Sequence, residues 1–138
     1  MKLLFLDLDG VLNNYKTQTK VYDTYVPFLS DLEPECMNNL VTLLQAHPDY
    51  RIVIHSAWRE DMTSFKFKEI FNELGYHYIS DRIFGIANSE LPKADAIYEM
   101  IQMVRATNYV IIDDDMLFNI GEELHKHQYK TSLFTGLS

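Results

Sequence analysis

Residues 3–11 read LLFLDLDGV, an apolar run that gives way to two acidic residues and a glycine. A short continuous apolar run predicts a strand that is buried on both faces, here over residues 3–8. Asp7 and Asp9 are two positions apart where this strand ends, so both side chains point to one side, and Gly10 permits a tight exit. Two carboxylates this close repel each other unless a cation lies between them, and oxygen ligands suit Mg²⁺. The alternative interpretation is a polar turn after a strand.

The rest of the chain alternates strand patterns with helical apolar stripes. Strands are predicted over residues 51–55, 76–79, 109–112 and 129–134, the last as an edge strand, and helical stripes over residues 37–44, 67–74 and 94–104. This alternation predicts an α/β fold whose mainly parallel sheet is covered on both faces. Such sheets bind ligands beyond the carboxyl ends of their strands. The polar residues at the strand ends are therefore the candidate functional residues.

Local signals predict where the helices begin and end. Pro34 stands at the predicted start of the first helix. Asp61 is the predicted N-cap of the second helix and Gly75 its predicted stop. Pro92 precedes the third helical stripe, in which Tyr98 is one of the predicted apolar positions.

The composition is that of a globular protein with an acidic surface. The chain has 138 residues, which suits a single domain over residues 1–138. The net charge of −8 opposes non-specific binding to nucleic acid but is compatible with binding divalent cations. Cys36 is the only cysteine, so a reducing compartment is expected. Because Asp7 interrupts the first apolar run too early for a signal peptide or a membrane span, we expect a cytoplasmic protein without membrane association.

A second polar group follows the strand predicted at residues 51–55. The Ser56 hydroxyl can donate to a phosphate oxygen, and Arg59 can add a bidentate phosphate contact. The alternative for Ser56 alone is a helix cap. We interpret Trp58 as a packing residue and His55 as a satisfied, partly buried histidine rather than a ligand.

Two more polar groups come later in the chain. Lys93 stands in the first turn of a predicted helix, where its charge is unfavourable for the helix dipole. Neutralising an anion would explain this lysine, although a surface lysine needs no explanation. Residues 113–115 are three aspartates at the end of a buried strand, where they are costly unless a cation or donors receive them. The alternative is a solvated acidic loop.

Taken in this order, the four groups resemble the motifs of the haloacid dehalogenase (HAD) superfamily. The resemblance rests on Asp7-x-Asp9-Gly10-Val11, a strand-end serine, a lysine that opens a helix, and an apolar strand that ends in Asp-Asp, and it covers nearly the whole chain. A closer similarity is to the small HAD domains of RNA-repair proteins, including the phosphatase half of polynucleotide kinase/phosphatases. It rests on three segments, Ser56-Ala57-Trp58-Arg59, Ile112-Asp113-Asp114-Asp115 and Thr135-Gly136-Leu137-Ser138.

The resemblance implies a Rossmann-like three-layer sandwich and a magnesium-dependent phosphatase. The expected substrate is a phosphomonoester, either a phosphorylated small molecule such as a nucleotide or a nucleic-acid end. Asp7 would attack phosphorus and form an aspartyl-phosphate, and Asp9 would protonate the leaving group and then activate water. Mg²⁺ would be held by Asp7, the backbone carbonyl of Asp9 and the side chain of Asp114. Asp113 would either support these ligands or bind the metal as well. Ser56 and Lys93 would bind the phosphoryl oxygens.

HAD enzymes often carry a cap domain that closes over the substrate. Between the matched motifs there is room for core elements and short loops only, so no large cap is expected, and residues 13–31 would serve at most as a small flap. Two other functional classes stay open. The first is a receiver-like phosphoacceptor, which also combines acidic residues, a hydroxyl and a lysine. In receivers, however, the acidic pair usually follows the first strand and the phosphorylated aspartate follows a later strand. The remaining class is a catalytically silent binding domain.

Overall fold

The computed structural model describes residues 1–7, 34–55, 63–88, 90–113 and 128–130, the last of these for the backbone alone. The secondary-structure elements are β1 (Lys2–Leu6), α1 (Pro34–Ala46), β2 (Tyr50–Ile54), α2 (Ser64–Glu73), α3 (His77–Arg82), β3 (Ile83–Ile86), α4 (Lys93–Val104), β4 (Asn108–Asp113) and β5 (Gln128–Lys130).

The described strands form one parallel sheet in the order β3-β2-β1-β4-β5. The chain runs outward from β1 to β3 and then returns to β4 on the other side of β1. The strand order therefore reverses between β1 and β4. This reversal is a topological switch point, where a crevice opens at the carboxyl ends of the strands. The predicted α/β fold with a mainly parallel sheet is confirmed.

Helices cover both faces of the sheet because alternate residues of each strand point to opposite sides. Leu4 and Leu6 pack with α1, α2 and α3 in one core, whereas Leu3 and Phe5 pack with α4 in the other. All four side chains are buried. β1 is thus buried on both faces, as its unbroken apolar sequence predicts, and the fold is a three-layer sandwich.

The strand predicted at residues 76–79 is wrong, because α3 occupies this segment and β3 follows it. A short apolar run fits a strand and a helix turn equally well by its pattern. In the helix, Ile79 and Arg82 are three positions apart and both are buried. Arg82 donates to the carbonyl oxygens of Pro48 and Tyr50. Tertiary contacts of this kind favour the helix.

The helix ends agree with the sequence signals in part. α1 begins at Pro34 as predicted, and Gly75 follows α2 with a φ of +86°, a conformation that suits glycine. The N-cap of α2 is Thr63, whose side chain accepts a hydrogen bond from the backbone N–H of Lys66 at 3.1 Å. The prediction of Asp61 as this cap is therefore wrong; Asp61 lies outside the described residues.

Smaller differences concern single residues. Tyr98 was expected in the apolar stripe of α4 but is 37% exposed, whereas Ala96 and Ile97 are buried. β1 ends at Leu6, and the predicted edge strand is represented by β5 at an edge of the described sheet. Residues 34–50 and 63–88 form elements of this sandwich; the absence of a cap elsewhere stays a prediction.

Among the described helices, none has both the length and the apolar character that crossing a bilayer requires.

Candidate active site

Three polar residues lie side by side at the carboxyl edge of the central strands. Leu6 in β1 is paired with Ile54 in β2 and with Ile112 in β4. The next residue of each strand is therefore Asp7, His55 and Asp113, respectively. The backbone N–H of Asp7 donates to Ile112 at 3.0 Å, and that of His55 donates to Leu6 at 3.1 Å, so the ladder continues to this level.

The alternation of side chains also places these three residues on the same face of the sheet. Leu3 and Phe5, at two-residue spacing before Asp7, belong to the core beneath α4. Val53 before His55 and Ile111 before Asp113 belong to the same core. Because the period of a strand is two residues, the side chains of Asp7, His55 and Asp113 continue this face toward the start of α4.

Lys93 opens α4 and reaches two of these residues. Its ammonium donates to Oδ2 of Asp113 at 3.1 Å and lies 3.6 Å from Oδ1 of Asp7. α4 is held in this position because Ala96 and Ile97 are buried against the strands below. A lysine in the first turn opposes the helix dipole, and the two carboxylates facing it offset that cost.

The carboxylates are almost completely removed from water. Asp7 is 4% exposed and Asp113 is 0% exposed. Burying a charged carboxylate is costly unless an opposite charge or a set of donors compensates it. Among the described side chains, the Lys93 ammonium is shared by both carboxylates. Carboxylate oxygens are also ligands that Mg²⁺ accepts.

His55 is the residue whose place the sequence interpretation did not identify. The sequence predicts a satisfied, partly buried histidine rather than a ligand; in the structure His55 is fully buried and its Nε2 lies 3.9 Å from Oδ2 of Asp113. Its ring also packs edge-to-face against Phe5, with 6.3 Å between centroids. The two-residue spacing between Val53 and His55 is the sequence signal that places His55 on the same face of the sheet as Asp7 and Asp113.

The structure thus brings together three of the predicted site residues, Asp7, Lys93 and Asp113. The others, Asp9, Ser56, Arg59 and Asp114, lie outside the described residues. Within the described ranges, no cluster of three or more His, Cys, Asp or Glu side chains is arranged as a metal site. Asp7 and Asp113 are the predicted metal-site carboxylates that the structure describes.

Pockets found elsewhere in the described structure are unrelated to these carboxylates. One is apolar and is lined by Leu4, Leu43, Leu44, His47, Tyr50 and Val110. It includes Tyr50, the first residue of β2, and therefore lies toward the opposite edge of the sheet. The chemistry that the described residues support is at the carboxyl edge.

Comparison with known proteins agrees with this arrangement. No curated protein and no solved structure matches the chain. One family model, described as the HAD domain in Swiss Army Knife RNA repair proteins, matches residues 3–138. The match extends from the first residue of the apolar run to the end of the sequence and includes all the motifs at the strand ends. The chain therefore belongs to the family of HAD domains of Swiss Army Knife RNA repair proteins, a branch of the HAD-type hydrolases.

Proposed function

We propose that this protein is a magnesium-dependent phosphatase that hydrolyses a phosphomonoester through an aspartyl-phosphate on Asp7. The observation that carries the proposal is the sharing of one ammonium, that of Lys93, by the carboxylates of Asp7 and Asp113 at the switch point of the sheet. A carboxylate nucleophile beside a cation is the arrangement that phosphoryl transfer to an aspartate requires.

The residues at this edge fit a divalent cation. Asp7 and Asp113 supply carboxylate oxygens, the ligand type that Mg²⁺ prefers. We assign Asp7, the backbone carbonyl of Asp9, and Asp114 as metal ligands, with Asp113 supporting them or sharing the metal. When bound, Mg²⁺ would offset the repulsion between Asp7 and a phosphate dianion and would stabilise charge on the phosphoryl oxygens.

The chain's own residues would divide the reaction into two steps. In the first, an Asp7 oxygen forms a bond to phosphorus, the bond to the leaving oxygen breaks, and Asp9 donates a proton to that oxygen. In the second, Asp9 takes a proton from water, the water oxygen attacks phosphorus, and Asp7 is released with inorganic phosphate. Lys93, Ser56 and Arg59 would hold the phosphoryl oxygens during both steps.

Two points support the proposed substrate class: the family description and the sequence-based expectation of no large cap. The family description names RNA repair proteins, which supports a nucleic-acid end or a nucleotide as the carrier of the phosphate. An open site accepts such large substrates. The net charge of −8 opposes tight binding of a polyanion by charge alone. We therefore propose that the terminal phosphate, rather than the nucleic-acid backbone, provides most of the recognition.

The test is a phosphatase screen with and without Mg²⁺, using p-nitrophenyl phosphate, nucleotides and oligonucleotides phosphorylated at the 3′ or the 5′ end. We expect turnover that requires Mg²⁺. The Asp7→Asn variant should retain its fold and lose turnover, because asparagine is nearly isosteric but a far poorer nucleophile. Asp95→Asn is the matched control, since Asp95 is exposed in the first turn of α4.

Three outcomes would contradict the proposal. Turnover by Asp7→Asn at the wild-type rate would remove Asp7 as the nucleophile. A stable phosphoryl group on the wild-type chain without release of phosphate would favour a receiver-like module. The absence of both turnover and phosphorylation, with a folded chain and Mg²⁺ present, would favour a silent binding domain.

A further inference from the structure

The buried carboxylate of Asp113 is approached by nitrogen atoms from two directions. From the α4 side, the Lys93 ammonium donates to Oδ2 at 3.1 Å. From the neighbouring part of the sheet, Nε2 of His55 lies 3.9 Å from the same oxygen. Oδ2 of Asp113 is thus the atom on which both contacts converge.

The two nitrogen-bearing side chains differ in how firmly they are held. Lys93 has a long, flexible side chain that is 26% exposed, so its contact alone does not fix the position of a carboxylate. His55 is fully buried. Its backbone donates to Leu6, and its ring packs against the side of the Phe5 ring at an interplanar angle of 84°. The imidazole is therefore the rigid member of the pair.

We propose that His55 is a positioning residue, one that holds the Asp113 carboxylate in the orientation in which Oδ2 receives Lys93. The role rests on the proposed phosphatase function, in which Asp113 and Lys93 serve the metal and the phosphoryl group. The separation of 3.9 Å between Nε2 and Oδ2 exceeds the length of a hydrogen bond. Contacts at catalytic sites, however, are often long before substrate binds and shorten in the complex. The role requires a nitrogen that can donate toward Oδ2.

A buried imidazole at this place carries a desolvation cost that packing alone does not require. On the same face, Val53 of β2 precedes His55 and Ile111 precedes Asp113 in β4, and both are aliphatic side chains in the core beneath α4. An aliphatic side chain at position 55 would bury without the desolvation cost of an imidazole. The polar ring becomes useful where its nitrogen faces a carboxylate that must keep one orientation.

The experiment compares three substitutions at position 55. The Gln amide nitrogen can approach the place of Nε2, the shorter Asn amide cannot, and Leu fills a similar volume without any donor. We expect His55→Gln to stay within a few-fold of wild type. His55→Asn and His55→Leu should lose about 10–100-fold in kcat or in Mg²⁺ affinity, the range typical of residues that support metal ligands. If His55→Leu fails to fold, the Asn and Gln variants still separate donor position from polarity.

His47 provides the matched control. It is exposed and contacts the Tyr50 ring at the start of β2. His47→Gln and His47→Leu should leave kcat, KM and Mg²⁺ affinity unchanged. Equal values for Gln, Asn and Leu at position 55 in folded proteins would overturn the positioning role.

Two readouts keep this inference separate from the phosphatase proposal. Crystal structures of the Gln and Asn variants report directly on the Lys93–Asp113 contact, and calorimetry reports on Mg²⁺ binding, without any turnover. A wild-type protein that hydrolyses no phosphomonoester contradicts the proposed function. An Asp113 carboxylate that stays in place in His55→Asn contradicts the positioning role, whether or not the protein is a phosphatase.

Discussion

The ammonium of Lys93 lies 3.1 Å from Oδ2 of Asp113, across twenty positions of sequence. This contact joins the first residue of α4 to the last residue of β4. Because Asp7 lies 3.6 Å from the same ammonium, one cation holds together the end of the central strand, the end of its neighbour and the start of a helix. We therefore expect the stability of this edge to be linked to the metal binding proposed for it.

Replacing Lys93 by Met should lower stability and strengthen the response to Mg²⁺. The substitution leaves two buried carboxylates without their shared ammonium. Breaking a buried ion pair typically costs ~3–5 kcal/mol. Since Lys93 is 26% exposed, we expect a smaller loss, about 1–3 kcal/mol.

The measurement is thermal unfolding with and without Mg²⁺. The rise in Tm on adding Mg²⁺ should be larger for Lys93→Met than for wild type, because the ammonium no longer competes for the carboxylates. Lys66→Met, at an exposed position of α2, is the control and should behave like wild type. A smaller Mg²⁺ response in Lys93→Met would show that the metal does not bind at these carboxylates.

Asp9→Asn should separate the two chemical steps of the proposed reaction. Asparagine can neither donate a proton to the leaving group nor accept one from water, so turnover should fall by ~10²–10⁴-fold. Mg²⁺ affinity should survive, because the proposed ligand at this position is the backbone carbonyl. With p-nitrophenyl phosphate, whose leaving group needs little protonation, phosphoryl-Asp7 should accumulate as a burst.

A burst-phase assay with p-nitrophenyl phosphate beside an alkyl phosphate checks this expectation. Equal losses on both substrates, together with lost Mg²⁺ affinity, would instead identify the Asp9 side chain as a metal ligand.

Arg82→Met should destabilise the fold without altering the chemistry. Arg82 is only 9% exposed, and its guanidinium donates to the carbonyl oxygens of Pro48 and Tyr50 and, at 3.5 Å, to that of Leu44. Its removal takes a charged donor away from partly and fully buried carbonyl oxygens, which costs about 1–3 kcal/mol. Urea unfolding measures the loss.

Arg51→Met is the control for Arg82, because Arg51 is exposed and makes a single long contact with the Asp81 carbonyl at 3.4 Å. It should unfold within about 0.5 kcal/mol of wild type. Arg82 joins the start of β2 to the end of α3, away from the carboxyl edge, so kcat per folded molecule should not change. A changed kcat with a normal fold would mean that the two edges of the sheet are coupled.

Gly75→Ala and Gly85→Ala form a matched pair that tests the conformation of the chain after α2. An added Cβ meets no atom within 4 Å at either glycine, but only Gly75 has a positive φ, +86°. Alanine at Gly75 should therefore cost ~1–2 kcal/mol from backbone strain alone. Alanine at Gly85, in β3, should be neutral or stabilise by up to ~1 kcal/mol. Equal effects in urea unfolding would contradict a left-handed conformation at Gly75.

The sequence by itself determined the elements that build the carboxyl edge. An unbroken apolar run followed by Asp7 is typical of a strand buried on both faces, and the same pattern before Asp113 predicts a second one. Pro92 and the apolar spacing after Lys93 fix the start of a helix. Because parallel strands end at one edge, these local signals predict that the polar residues at the strand ends gather there. The place of Lys93 beside them was implied by the HAD resemblance.

Only the tertiary structure decided the features that depend on which elements are neighbours. The segment that contains Ile79 became a helix because it packs Ile79 and Arg82 against α1 and β2, a choice that its own short apolar pattern does not make. His55 faces Asp113 because β1 lies between β2 and β4 in register, which brings two strands distant in sequence to the same level. Local propensities act over a few residues, whereas the order and register of strands arise from burial across the whole sheet, and that non-local packing determines which side chains meet.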